Sequence, residues 1–108
     1  RDGAMLYINQ LNANGGINGK QVKVLEYDDK GDGVEAVNAY NLACDNGITA
    51  VFGATLTGPT IALADATYED NMPQVTASAT AAGVTMIDPD DANSEIRTNV
   101  FRACFIDP

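Results

Sequence analysis

The sequence predicts an α/β fold, a three-layer sandwich in which helices cover a parallel sheet. Stretches with apolar residues at helical spacing alternate along the chain with short apolar stretches that are typical of strands. The predicted order is helix, strand, helix, strand, helix, strand, loop and strand, and this alternation favours a parallel sheet. With 108 residues the chain is long enough for one small domain, and no internal repeat divides it.

The first quarter of the sequence predicts a helix, a turn and a strand. Residues 3–13 form the helix, which ends near Asn14-Gly15-Gly16 because glycine supplies the left-handed conformation that ends many helices. Residues 17–20 form the turn. The heptapeptide 21–27, QVKVLEY, alternates in polarity and predicts a strand.

A second helix and a second strand follow a polar loop at residues 28–33. Asp32 and Glu35 have the spacing of a capping box, which predicts a helix that begins at Gly33 or Val34 and runs to about Asp45. The apolar run ITAVFG at residues 48–53 suits a buried parallel strand.

The rest of the chain predicts one more helix and two more strands. Thr57-Gly58-Pro59 opens the helix, with Thr57 or Gly58 as its cap, because proline is favoured at the start of helices. Strands are expected at residues 74–77 and 99–103. The stretch between them, residues 78–98, is expected to be irregular.

The charge of the chain excludes several classes of partner. Its net charge is -9, whereas proteins that bind nucleic acid or anionic membranes need clustered lysine and arginine. Hydrophobic residues make up 45% of the chain, which is typical of a folded globular domain. No apolar run approaches the roughly 18 residues needed to span a membrane.

The chain has no histidine and only two cysteines, Cys44 and Cys104. A structural zinc site and the nucleophilic arrangements that need histidine are therefore not expected. The cysteines fit two free buried thiols or one disulfide, so they do not identify the redox compartment. No nucleotide-binding glycine motif is present, and we expect no cofactor and no metal.

Two loops rich in hydrogen-bond donors follow neighbouring predicted strands. The first, residues 53–60, carries three threonines and runs into a helix N-terminus, and the second, residues 76–80, has the sequence TASAT. Ligands of open parallel sheets bind beyond the carboxyl ends of the strands, and free N–H groups at a helix start favour an anion. The two loops could hold one carboxylate, or they could be ordinary turns with capping hydroxyls.

Asp28 and Asp29 directly follow the predicted strand at residues 21–27 and could bind a metal or act as acid and base. Lys30 and Ala39 stand where a calcium loop needs ligands, so the match to such a loop is superficial. We favour a turn-forming and capping cluster. A phosphoacceptor enzyme of flavodoxin-like fold would be the alternative use of this pair.

In five segments the chain resembles the branched-chain amino-acid-binding proteins of ABC importers, which have the type I periplasmic binding protein fold. The segments are INQLNANGGINGK at 8–20, Tyr27-Asp28-Asp29, Val51-Phe52-Gly53 with its threonine-rich loop, TASAT at 76–80, and Val100-Phe101-Arg102 with Asp107. They occur in family order and spacing over nearly the whole chain.

The resemblance implies a binding role without catalysis. Hydroxyl and backbone groups at Thr57, Ser78, Ala79 and Thr80 would hold the carboxylate and ammonium of an amino acid or a similar small carboxylate. The protein would be extracytoplasmic, either periplasmic or lipid-anchored, and would deliver its solute to ABC permease subunits. A sensory or receptor domain of the same fold is the alternative function.

The resemblance also implies that residues 1–108 are a partial N-terminal lobe. The family's first strand would precede Arg1, and the second lobe would follow Pro108. That first strand would lie between the predicted strands at 21–27 and 48–53. Its absence would leave two unpaired edges, through which the chain could self-associate.

Overall fold

The computed structural model describes all 108 residues and has the predicted alternation of helices with short strands. The elements are α1 (Asp2–Ala13), α2 (Gly33–Asp45), β1 (Val51–Phe52), α3 (Thr57–Glu69), β2 (Gln74–Thr76), a short 3-10 helix (Ala82–Val84) and β3 (Val100–Arg102). Each of the three helices begins within one residue of its predicted start. None of the helices is both long and apolar enough to cross a membrane.

The three strands form one parallel sheet in the order β1-β2-β3, which confirms the predicted sheet type. Phe52 lies beside Val75, and Val75 lies beside Phe101. Direct cross-strand neighbours point to the same face, so these three side chains form a row. The row is exposed, with 64%, 37% and 56% of each residue accessible to solvent in that order.

Helices α2 and α3 pack against each other, and α3 packs on the other face of the sheet. The core there consists of Ala64, Ala79, Val84 and Val100. The hydroxyl of Tyr40 on α2 donates to Asp70 at the end of α3 at 2.7 Å. Burial, with help from this hydrogen bond, raises the pKa of Tyr40 above its usual value. The tyrosine therefore stays neutral and links the two helices.

A layer of buried polar side chains joins α3 to the sheet. Thr67 donates to the side-chain oxygen of Gln74 at 2.7 Å, and Asn99 donates to Thr67 at 3.2 Å. The amide nitrogen of Gln74 donates to the carbonyl of Gly53 at 2.9 Å. Polar groups in a core need such partners, so this network fixes how β1, β2 and α3 meet.

The predicted turn signals of the first 20 residues are confirmed. Helix α1 ends at Ala13, and the N–H of Gly16 donates back to the carbonyl of Leu11 at 2.9 Å. Ile17 and Lys20 then exchange two backbone hydrogen bonds around a tight turn. Asn18 and Gly19 both have positive φ angles, as such a turn requires.

The predicted strand at residues 21–27 is wrong. The segment belongs to no ladder, and residues 21–28 make no hydrogen bond to any other backbone group. Val22 instead exchanges two hydrogen bonds with the side chain of Asn12 on α1, at 2.7 and 2.8 Å. A polarity pattern favours an extended backbone, but a strand also needs a neighbouring strand, and no strand of the sheet lies against this segment.

The predicted buried strand at residues 48–53 is also wrong in extent and in burial. Only Val51 and Phe52 pair with β2, and Phe52 is exposed. β1 is an edge strand with one uncovered face, and a continuous apolar run is typical of strands that are covered on both faces. The predicted strands at 74–77 and 99–103 are confirmed with shorter bounds, and residues 78–98 are irregular apart from the 3-10 helix.

Candidate ligand-binding site

The two donor-rich loops lie side by side at the carboxyl ends of β1 and β2. The hydroxyl of Ser78 donates to the carbonyl of Thr55 at 2.7 Å and so joins the second loop to the first. Two residues earlier, at the end of β2, the hydroxyl of Thr76 donates to the carbonyl of Ala54 at 2.9 Å. Because β1 and β2 are parallel neighbours, both loops open at the same edge of the sheet.

The N-terminus of α3 opens at this edge without a side-chain cap. Leu56 occupies the N-cap position in an extended conformation, and no side chain accepts from the first amides. The first helical backbone bond runs from Thr60 N–H to the carbonyl of Leu56 at 3.1 Å. The prediction that Thr57 or Gly58 caps the helix is therefore wrong, since both lie inside its first turn.

As a result, the amides of Thr57 and Gly58 have no hydrogen-bond acceptor within the chain. The hydroxyl of Thr57 also makes no hydrogen bond. Unpaired amides at a helix start carry partial positive charge and attract anions. The arrangement can therefore donate at least two hydrogen bonds to a carboxylate at the mouth of the first loop.

Thr80 is half-buried and already has a partner. Its hydroxyl donates to the carboxylate of Asp107 at 2.9 Å, and the N–H of Asp107 donates to the carbonyl of Thr80 at 3.0 Å. Asp107 lies in the segment that follows β3, so a third strand end contributes to the same edge. Asp107 is not among the site residues predicted from the sequence, although its position soon after a predicted strand is a signal that could have pointed to it.

Ala79 lies beneath the surface, in contrast with Thr57, Ser78 and Thr80. It is fully buried, and its carbonyl accepts hydrogen bonds from Arg102 at 3.1 Å and from the Cys104 thiol at 3.5 Å. Its N–H donates weakly to the Thr76 hydroxyl at 3.4 Å. Ala79 thus anchors the second loop to β3, and its neighbours Ser78 and Thr80 are the accessible donors and acceptors.

The aspartates of residues 28–33 serve the backbone, as the interpretation of a turn-forming cluster requires. Asp28 and Asp29 each accept from the amide two residues later at 2.9 Å. Asp32 caps α2 by accepting from Val34 at 2.7 Å and from Glu35 at 3.1 Å. No group of three or more potential metal ligands is formed anywhere in the chain. Cys44 and Cys104 are free and half-buried.

The fold and the site define a class of protein: an α/β lobe that presents hydrogen-bond donors at the carboxyl end of a parallel sheet. Comparison with known proteins identifies the family. The profile of the family described as periplasmic binding protein matches residues 1–103. The chain belongs to this family, which confirms the resemblance.

Similar proteins are binding proteins for branched-chain amino acids. The chain is 34% identical over 85 residues to a leucine-, isoleucine-, valine-, threonine- and alanine-binding protein of Pseudomonas aeruginosa, covering 79% of this chain and 23% of that protein. It is 32% identical over 104 residues to the Leu/Ile/Val-binding protein BraC3 of Rhizobium johnstonii, covering 96% of this chain and 26% of that protein.

A solved structure supports the fold directly. The branched-chain amino-acid transporter substrate-binding protein LivJ of Streptococcus pneumoniae, in complex with isoleucine, matches with a TM-score of 0.81 and 30% identity. The match covers 96% of this chain and 28% of that one. The predicted α/β class with a parallel sheet of the periplasmic binding protein type is confirmed, although within residues 1–108 helices cover only one face of the sheet. The chain spans about a quarter of the length of the relatives that it matches.

Proposed function

We propose that this chain is part of the ligand-binding lobe of an extracytoplasmic solute-binding protein that serves an ABC importer. Its solute is a branched-chain amino acid or a similar small carboxylate. The observation that carries the proposal is the pair of loops joined by Ser78 and Thr55, with the uncapped start of α3 beside them. The relatives' names, which specify leucine, isoleucine and valine, support the class of solute.

The chemistry of the two loops suits a zwitterion. The free amides of Thr57 and Gly58 and the Thr57 hydroxyl would donate to the carboxylate, where the dipole of α3 adds to the attraction. Ser78 and Thr80 would bind the remaining polar atoms through hydroxyl and backbone groups. Asp107, which accepts from Thr80, places a negative charge where an ammonium group would be attracted.

The lobe is partial in this proposal. A first strand and a second lobe belong to the same protein outside residues 1–108, and the solute is held between two closing lobes. The protein is either periplasmic or lipid-anchored, and ABC permease subunits are its partners. The exposed edges of β1 and β3 make self-association of this 108-residue chain a further part of the proposal.

Binding to the isolated chain can be measured by following its backbone amide resonances during titration with L-isoleucine. One lobe supplies only part of the contacts, so a dissociation constant in roughly the millimolar range is expected. The resonances of residues 55–58 and 78–80 should shift. Isoleucinamide, which lacks the carboxylate, should produce much smaller shifts at residues 55–58.

Two matched threonine variants separate the site from the rest of the surface. Thr80→Val removes a hydroxyl of the site and should weaken binding by about 10- to 100-fold, since a hydrogen bond to a charged group contributes roughly 1.5–3 kcal/mol. Thr49→Val removes an exposed hydroxyl elsewhere and should leave binding unchanged. The proposal would be contradicted if the resonance shifts lay outside both loops, or if isoleucinamide bound as tightly as isoleucine.

A further inference from the structure

Arg102, the last residue of β3, contacts the second donor-rich loop and the chain that follows it. One of its terminal nitrogens donates to the carbonyls of Ala79 and Ala81, at 3.1 and 3.0 Å. The other terminal nitrogen donates to the hydroxyl of Thr85 at 3.0 Å. The guanidinium therefore binds the backbone on both sides of Thr80 and joins it to the next turn of the chain.

These contacts fix the direction in which the backbone groups around Thr80 point. The carbonyls of Ala79 and Ala81 face Arg102, whereas the carbonyl of Thr80 between them accepts from the amide of Asp107 at 3.0 Å. The Thr80 hydroxyl is held at the Asp107 carboxylate, and the N–H of Thr80 has no acceptor within the chain. Thr80 therefore keeps a free donor in a backbone whose orientation is set on both sides.

The chemistry of arginine suits this task. A guanidinium carries several N–H donors in one rigid plane, and charged donors form stronger hydrogen bonds than neutral ones do. Arg102 is half-buried and forms no ion pair, whereas Arg97 pairs with Asp65. Its donors in the chain are therefore directed at neutral oxygens of this loop and turn. Because Ala79 is fully buried, its carbonyl needs such a donor.

We propose that Arg102 is a positioning residue of the amino-acid site, which acts through Thr80 and does not itself touch the solute. By fixing the carbonyls on both sides of Thr80, it holds the amide and hydroxyl of Thr80 where the polar atoms of the solute bind. Binding sites need such support, because small displacements of a contacting group weaken its hydrogen bonds. The inference rests on the proposed function and adds to it a residue of β3.

Arg97 provides a matched control, because it makes the same kind of contact outside the site. It is only 6% exposed, and its guanidinium donates to the carbonyls of Gly83 and Met86 as well as to Asp65. If both arginines served stability alone, the more buried Arg97 would matter more in every measurement. A positioning role for Arg102 predicts the reverse order for the affinity of the solute.

The test is titration of the 108-residue chain and its variants with L-isoleucine, followed by amide resonances. Arg102→Met removes the donors and should raise the dissociation constant about tenfold, near the lower end of the loss expected for removing the Thr80 hydroxyl itself. Arg102→Lys keeps the charge, but one ammonium group cannot reproduce the fork of a guanidinium, so it should bind nearly as weakly. It is also the variant to use if Arg102→Met does not fold. Arg97→Lys should leave the dissociation constant unchanged.

A double-mutant cycle tests whether Arg102 acts through Thr80. In a chain that already carries Thr80→Val, Arg102→Lys should cause little further loss of affinity, because the group that it positions is gone. Losses that multiply would overturn the inference, as would full affinity in Arg102→Lys or an equal loss in Arg97→Lys. If the unsubstituted chain does not bind isoleucine, the proposed function falls and this inference with it. If that chain binds and the Arg102 variants bind equally well, only this inference falls.

Discussion

Residues 1–29 and residues 33–108 follow the same local rules but reach different degrees of burial. Helix α1 has 12 residues and α2 has 13, yet α1 buries none of its side chains, whereas α2 buries Ala36, Tyr40 and Ala43. All 15 buried residues of the chain lie in the second region. Helix and turn signals therefore act locally, whereas a core forms only where two elements can cover each other.

The first region is held by polar and backbone contacts instead of a core. The side chain of Asn12 binds both backbone groups of Val22, and Gly16 closes the end of α1. Single hydrogen bonds of this kind contribute about 1 kcal/mol each, against roughly 1.5–3 kcal/mol for a fully buried large apolar side chain. Residues 1–29 should therefore open more readily than the rest of the chain.

The largest expected difference between the two regions concerns two glutamines. Gln74→Ala should lower the free energy of unfolding by about 3 kcal/mol, because it leaves a cavity and removes one hydrogen-bond partner of Thr67 and one of the Gly53 carbonyl. Gln21→Ala removes one exposed hydrogen bond to the Asn12 carbonyl and should change the free energy of unfolding by no more than about 0.5 kcal/mol. Urea unfolding followed by circular dichroism measures both.

Similar losses of stability in the two variants would contradict this expectation. They would mean that the buried amide network contributes no more than a surface contact. In Gln74→Ala the urea concentration at the unfolding midpoint should shift. The slope of the free energy of unfolding against urea concentration should stay constant, since neither substitution changes the surface that unfolding exposes.

A second prediction concerns two glycines of the turn after α1. A Cβ at Gly16 would lie 1.9 Å from the carbonyl oxygen of Lys20, whereas a Cβ at Gly19 would meet nothing within 4 Å. Both have positive φ angles. Gly19→Ala should cost about 1 kcal/mol from backbone conformation alone, and Gly16→Ala about 2 kcal/mol or more because the backbone must also move.

The measurement for the glycine pair is exchange of the Ile17 and Lys20 amides, which report opening of this turn. Gly16→Ala should accelerate both amides more than Gly19→Ala, and amides in α3 should be unaffected by either variant. Acceleration throughout the chain would instead show that residues 1–29 and the core unfold together.

Much of the local structure could be predicted from the sequence, because the signals are carried by adjacent residues. Asp32 capped α2 at the predicted position, and the glycines after α1 ended it. The two donor-rich loops were also found, since parallel strands place their carboxyl ends at one edge. What could not be predicted depends on distant partners. The segment at residues 21–27 has the pattern of a strand but no neighbour.

Two other features could not be predicted from sequence patterns. Gln74, Thr67 and Asn99 are fully or almost fully buried, although glutamine, threonine and asparagine are mostly exposed in proteins. Their burial follows from hydrogen bonds to one another, which no local pattern encodes. The contact between Thr80 and Asp107 likewise joins residues that are 27 positions apart.

The smallest expected effect comes from comparing the N-termini of α2 and α3. Asp32 caps α2, whereas Leu56 leaves the start of α3 uncapped. Asp32→Ala should therefore destabilise the chain by about 1 kcal/mol. Leu56→Asn should stabilise it by roughly 0.5 kcal/mol, a smaller amount because Pro59 removes one of the amides that a cap could bind.

The Leu56 variant also connects stability to the proposed function. An asparagine cap would accept from the Gly58 amide and so compete with a bound carboxylate for the same donor. Leu56→Asn should therefore bind isoleucine more weakly than Leu56→Ala, which removes the same side chain without adding an acceptor. Thermal unfolding and the amide titration together give both quantities. If Leu56→Asn stabilises the chain yet binds isoleucine as well as Leu56→Ala does, the free amides of α3 are not part of the carboxylate site.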